Sequence, residues 1–168
     1  SEMVLYFGDD KARMEMDMAM GSTVTISNNE TKEAYTLIDM MGSKYALKID
    51  LDDEDTEKQD DVEIEYTNET KEIAGYECKK AIMSVGNTKV AVWFTEELEI
   101  SGMLNRNQPG LSQIKGFPME YSTSQQGFTM VMSATSVEEW KTDESYFEVP
   151  DDYELKTQEE FEKMFGGM

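Results

Sequence analysis

The segment Arg13-Met14-Glu15-Met16-Asp17-Met18-Ala19-Met20 alternates without a break. Methionine takes every second position, and three of the four residues between are charged: Arg13, Glu15 and Asp17. A helix would scatter these methionines around its axis, whereas an extended strand puts them all on one side and the charges on the other. The segment therefore reads as a two-faced β-strand, and the pattern extends both ways. Upstream, Met3, Leu5 and Phe7 alternate before a turn at Gly8-Asp9-Asp10. Downstream, Gly21 ends the methionine run, Thr23 to Ser27 follows, and Asn28-Asn29 marks the next turn. Ala34 to Met40 reads as another strand, closed by Met41-Gly42-Ser43, and then Tyr45, Leu47 and Ile49 alternate with polar neighbours.

The same punctuation continues after an acidic stretch, Asp50 to Asp61. Val62, Ile64 and Tyr66 resume the alternation. Tyr76 to Val85 and Lys89 to Thr95 form an expected hairpin around Gly86-Asn87. Its second arm is apolar on both sides (Val90, Val92 and Phe94 against Ala91 and Trp93), the mark of a central strand covered twice. Glu96 to Lys115 is the least regular stretch, with a short helix expected after Pro109-Gly110. Phe117 to Ser124 and Phe128 to Trp140 make a last expected hairpin around Gln126-Gly127. Near the end the period changes. Thr157 followed three residues later by Glu160 is a capping box, Phe161, Met164 and Phe165 share a helical face, and Gly166-Gly167 stops the helix. The sequence thus predicts one all-β domain over residues 1–168. Its expected form is a curved antiparallel sheet of about ten strands, an incomplete barrel, with a short C-terminal α-helix.

The charge balance narrows the partners. With 36 acidic and 15 basic residues, net −21, the chain lacks the clustered cations that displace counterions from phosphate backbones, so no nucleic-acid partner is expected. Histidine is absent, which removes Ser-His-Asp and Cys-His catalysis and His-ligated zinc; one cysteine, Cys78, allows no internal disulfide. No apolar run reaches the ~20 residues that span a bilayer as a helix. The chain opens inside a strand, so a missing leader is no argument for the cytoplasm. No enzyme activity and no cofactor are expected.

The methionines are the candidate binding residues. Met14, Met16, Met18 and Met20 share one strand face, and Phe128, Met130 and Met132, followed by Ala134, form a second apolar row. Core packing is the plain explanation of both rows. However, flexible thioether chains specify a core loosely, so an adaptable apolar pocket or partner surface is the sharper one. A copper(I) site of thioether sulfurs fits poorly, because same-face neighbours on a strand are about 6.6–6.8 Å apart. The Asp50–Asp61 stretch lacks the turn glycine and ligand spacing of a calcium loop and reads as solvated. Cys78, in Tyr76-Glu77-Cys78-Lys79-Lys80, reads as a small buried hydrophobe, with the adjacent lysines leaving a reactive thiolate as the alternative.

Four segments in order carry a resemblance. They are Ile73-Ala74-Gly75-Tyr76-Glu77-Cys78-Lys79-Lys80-Ala81, Val92-Trp93-Phe94-Thr95, Gly116-Phe117-Pro118-Met119-Glu120-Tyr121, and Phe147-Glu148-Val149-Pro150 with Tyr153. Together they resemble the domain-of-unknown-function family 4412 of secreted or lipid-anchored Bacteroidetes proteins. That family is similar in pattern to the GLPGLI proteins and, at a distance, to the LolA/LolB lipoprotein carriers. The resemblance implies an extracytoplasmic, periplasmic or outer-membrane-associated protein with a half-barrel fold. The expected function is to hold a lipid, acyl chain or other apolar ligand in the concave face of the sheet; the alternative is a protein-interaction module that uses the methionine-rich face or an edge strand against an envelope protein partner. The resemblance assigns no catalytic residues.

Overall fold

The computed structural model describes residues 2–18, 21–50, 61–98, 110–125 and 128–166. The chain forms two compact units, one from residues 1–54 with 141–168 and the other from residues 55–140.

The first unit is a meander of β1 (Met3–Phe7), β2 (Lys11–Met18), β3 (Gly21–Asn28), β4 (Glu33–Met40) and β5 (Ser43–Asp50). Each strand pairs antiparallel with the next, and β11 (Glu154–Lys156) adds to β5 in parallel. Local chemistry sets the turns. The Asn28 side chain accepts the backbone N–H of Glu30 at 2.9 Å, turning β3 into β4. Met41 and Gly42 both hold positive φ, the mirror-image turn whose twist matches a hairpin. At Gly21 a Cβ would sit 2.0 Å from the Asp39 carbonyl oxygen, so only glycine lets β3 begin against β4.

Val24, Ile26, Leu37 and Ala46 form the buried core of this unit. A strap from the C-terminal part, residues 141–156, covers them with Phe147, Val149 and Tyr153. Asp143 caps a 3-10 turn (Glu144–Phe147) by accepting the Ser145 N–H at 3.0 Å. Ion pairs Lys11–Glu144 and Lys44–Asp152 pin the strap at two points. Between them Arg13 donates to the Tyr146 carbonyl at 2.9 Å and lies 5.7 Å over its ring. Helix α1 (Gln158–Phe165) then follows with its complete capping box, and Phe161 and Phe165 meet the edge of the Tyr45 ring.

The second unit is a meander of β6 (Val62–Ile73), β7 (Tyr76–Val85), β8 (Thr88–Thr95), β9 (Phe117–Gln125) and β10 (Phe128–Ser133), neighbours again antiparallel. One core holds Ala81, Met83, Val92 and Phe94 under Leu111 and Ile114 of a 3-10 turn. That turn can lie so close because it starts at Gly110, where a Cβ would fall 2.6 Å from the Met83 sulfur. The other core holds Ile73, Cys78 and Met119, with Trp93, Phe117 and Val137 against it. So β8 is indeed apolar on both sides because both are covered.

The protein is mostly β and antiparallel-rich, with one short C-terminal α-helix and no closed barrel among the described residues. The expected single sheet is two sheets, and the last hairpin arm ends at Ser133 instead of running to Trp140. The short helix after Gly110 is a 3-10 turn, and α1 has the expected bounds, although Met164 is 46% exposed.

Candidate functional site: the charge-free face of the first sheet

Strand pairing converts the methionine alternation into a surface. Residues directly opposite in an antiparallel pair project to the same face. Leu5 pairs with Met14, Met14 with Thr25, Thr25 with Thr36 and Thr36 with Leu47. The row on one side runs Phe7, Ala12, Ser27, Ala34, Ile49, and on the other Met3, Met16, Thr23, Ile38, Tyr45. A last row brings Met18 opposite Gly21 and Met40 opposite Ser43. Over β1 to β5 this face carries no charged residue at all. The opposite face carries Lys11, Arg13, Glu15, Asp17, Glu33, Asp39, Lys44, Lys48 and Asp50.

In a chain that is 30% charged, a five-strand face without one charge implies an apolar covering. Yet the buried cluster Val24–Ile26–Leu37–Ala46 lies on the charged side, under the strap. On the charge-free side Ala12, Ser27 and Ala34 are buried, while Met3, Leu5, Phe7, Met14, Met16, Ile38, Leu47 and Ile49 are each half-buried. Within this unit Phe161 and Phe165 of α1 cover the Tyr45 corner of that side. Size also varies across it. The middle strands contribute mostly short side chains (Thr23, Thr25, Ser27, Ala34, Thr36), and the flanking strands contribute Leu5, Met14, Met16 and Leu47. By side-chain size alone this face is lower along β3 and β4 than at its thioether and leucine margins, a trough interrupted by Ile38. At 3.3–3.4 Å per residue, positions 21 to 27 give it a length of about 20 Å.

Register thus places Met14 and Met16 on one face with Leu5, Phe7, Tyr45, Leu47 and Ile49. Met18 has its place by register, and Met20 lies outside the described residues. The second row belongs to the other sheet. Phe128, Met130 and Met132 sit on β10 of the other sheet, opposite Gln125, Thr123 and Tyr121. Met130 is 52% exposed, which departs from the packing expected of a core row, and its neighbour Val131 is 66% exposed. Residues 51–60 of the acidic stretch lie outside the described residues. Among the described residues no group of three or more acidic or thiol side chains is placed to hold a metal ion. Cys78 is fully buried, and burial pushes its thiol pKa up, the reverse of an activated thiolate.

Two features escape sequence reading. On the second sheet, Lys71 stacks 4.4 Å over Trp93 and donates to Glu120 at 2.7 Å, and the Ser133 hydroxyl also donates to Glu120, at 2.9 Å. These residues come from four strands, so no local pattern announces them; the Glu120 carboxylate accepts from both Lys71 and Ser133, and the cluster acts as a brace. The other feature is a cleft of about 550 Å³ in the first unit. The β3–β4 hairpin supplies Ile26, Asn28, Thr31, Glu33 and Tyr35, and the strap supplies Phe147 to Asp151, Tyr153 and Leu155.

A family model described as "Domain of unknown function (DUF4412)" matches residues 1–153. The chain belongs to the DUF4412 family. A search of curated proteins returns no match. Among solved structures, this DUF4412 chain is similar to PNGF-II in a C2 crystal form, with 21% identity and a TM-score of 0.55 over 93% of this chain and 27% of that one. It is also similar to PNGF-II in a P21 form, with 17% identity and a TM-score of 0.59 over 98% of this chain and 30% of that one. The DUF4412 chain therefore spans less than a third of PNGF-II. At such identities the likeness carries the fold and no activity.

Proposed function

We propose that this DUF4412 protein is a non-enzymatic extracytoplasmic binder of an apolar ligand, a lipid or acyl chain, held in the trough of the first sheet. One observation carries the reading: a charge-free face over five strands stays half-open while the buried core of the same unit lies on the charged face, under the strap. Exposed apolar surface is costly at about 25 cal/mol per Å², and a face kept free of charge that its own unit does not seal marks a binding surface. Methionine walls suit chains of varied shape, because thioethers change rotamer at small cost. A floor of short threonine, serine and alanine side chains leaves room for the ligand. The absence of histidine supports a role without acid–base chemistry.

Titration of the protein with a dansyl-labelled fatty acid tests this. Saturable binding is expected, abolished by Met16→Asp and reduced by Thr25→Leu, which fills the floor with a neutral side chain. Asp17→Ala, on the opposite face, is expected to bind as wild type. If the wild-type protein shows no saturable binding, the reading fails.

The second reading is a protein-interaction module. It draws on Met130 and Val131, which leave an apolar pair open on the two faces of β10.

A further inference from the structure

The cleft between the strap and the β3–β4 hairpin is separate from the trough, since Ile26 and Tyr35 project to the charged side of the sheet. Its volume of about 550 Å³ lies within the range of small-ligand sites, roughly 300–1,000 Å³. Tyr35, Phe147 and Tyr153 provide three aromatic walls, each half-buried, and Glu33, Glu148 and Asp151 stand around them. No lysine or arginine lines it. Lys48 pairs with Glu33 from outside, and Lys44 is engaged by Asp152 and the Tyr153 ring. Among the described residues Glu148 and Asp151 take part in no ion pair. Aromatic faces carry negative potential and attract cations, most strongly where water is partly excluded, and carboxylates at the rim add to the same field.

From this geometry we infer that the cleft is a second binding site, for an ammonium or guanidinium group on an apolar stem. The stem lies against Phe147 and Val149, and the charged head sits between the tyrosine rings and the carboxylates of Asp151 and Glu148, the latter also within the field of Lys11. Two sources offer that chemistry: a free alkylamine, or a lysine or arginine side chain of a polypeptide.

The test follows backbone-amide and tyrosine-ring NMR signals of the full chain with three probes: n-butylammonium chloride, uncharged n-butanol, and a capped five-residue peptide with lysine at its centre. Saturable shifts at Tyr35, Val149 and Tyr153 are expected with a charged probe and not with butanol. A response to butylammonium assigns a free amine as sufficient; a response to the peptide alone assigns a chain-borne cation. Glu148→Gln combined with Asp151→Asn should weaken binding roughly three- to ten-fold, the scale of two solvent-exposed charge contacts, and both positions are exposed enough to leave the fold intact. Asp17→Ala, which lies outside the cleft lining, should bind as wild type. Equal response to butanol, no saturable response to any probe, or binding unchanged by neutralising the two carboxylates would each overturn the inference, whatever the trough does with fatty acids.

Discussion

Leu37→Ala is expected to be among the most damaging substitutions in the first unit, and Met14→Ala a mild one, although both replace a large apolar side chain on adjacent parts of one sheet. Leu37 is 1% exposed within the Val24–Ile26–Ala46 cluster. Truncation removes three carbons, about 2.4 kcal/mol at ~0.8 per buried methylene. The cavity left under Phe147 and Tyr153 raises the expected loss to about 3 kcal/mol, inside the roughly 2–5 kcal/mol range of such changes. Met14 is half-buried, so the same arithmetic gives roughly 1 kcal/mol. Urea unfolding followed by far-UV circular dichroism reads the difference: with a slope near 2 kcal/mol per molar, Leu37→Ala moves the midpoint down by about 1.5 M and Met14→Ala by about 0.5 M. Both tryptophans, Trp93 and Trp140, belong to the other unit, so their fluorescence shows whether the two units unfold together. A loss for Met14→Ala equal to or above that for Leu37→Ala would place the packed core on the methionine side and refute the assignment of faces.

Glu120→Gln should destabilise the second unit at neutral pH. The Lys71 hydrogen bond holds the Glu120 carboxyl below its ordinary pKa, so its contribution is present above about 4.3 and fades as pH falls through the lower folded value. The gap between wild type and variant, read by tryptophan fluorescence in urea, should therefore close on acidification. Cys78, whose thiol pKa burial raises, should react with iodoacetamide far more slowly in folded than in unfolded protein, and its share of stability should decline as pH rises above the ordinary thiol value near 8.5; rapid labelling of the folded state would contradict its burial. Thr157→Ala removes the acceptor of the Glu160 N–H at 3.2 Å and should cost α1 about 1 kcal/mol. Hydrogen exchange at the Glu160 amide should speed up, with the urea midpoint nearly unchanged, because α1 touches the sheet mainly through Phe161 and Phe165.

Sequence by itself determined the strands, most of the hairpins and the helix, because these are local. Alternation at Met14, Met16 and Met18 separates two faces of β2 whatever covers them, Gly42 and Gly86 permit turns that other residues resist, and Thr157 with Glu160 caps a helix from within one turn. Register then follows from the short loops, and the observed pairing assembles the charge-free rows from those local alternations. Only the tertiary structure decided which face is packed. Period two says that two sides differ, and the expectation that the uncharged side is the inside is reasonable but local. The strap that covers Leu37 and Ile26 comes from residues more than a hundred positions away, and Phe147, Val149 and Tyr153 follow no period long enough to reveal a docking face. The same distance hid the cleft, whose two walls meet only when β11 pairs in parallel with β5, and the Lys71–Trp93–Glu120 brace, drawn from strands that the meander brings together. Contacts between distant segments depend on where the chain returns, and hydrophobic alternation records only that a face is to be covered, not by what.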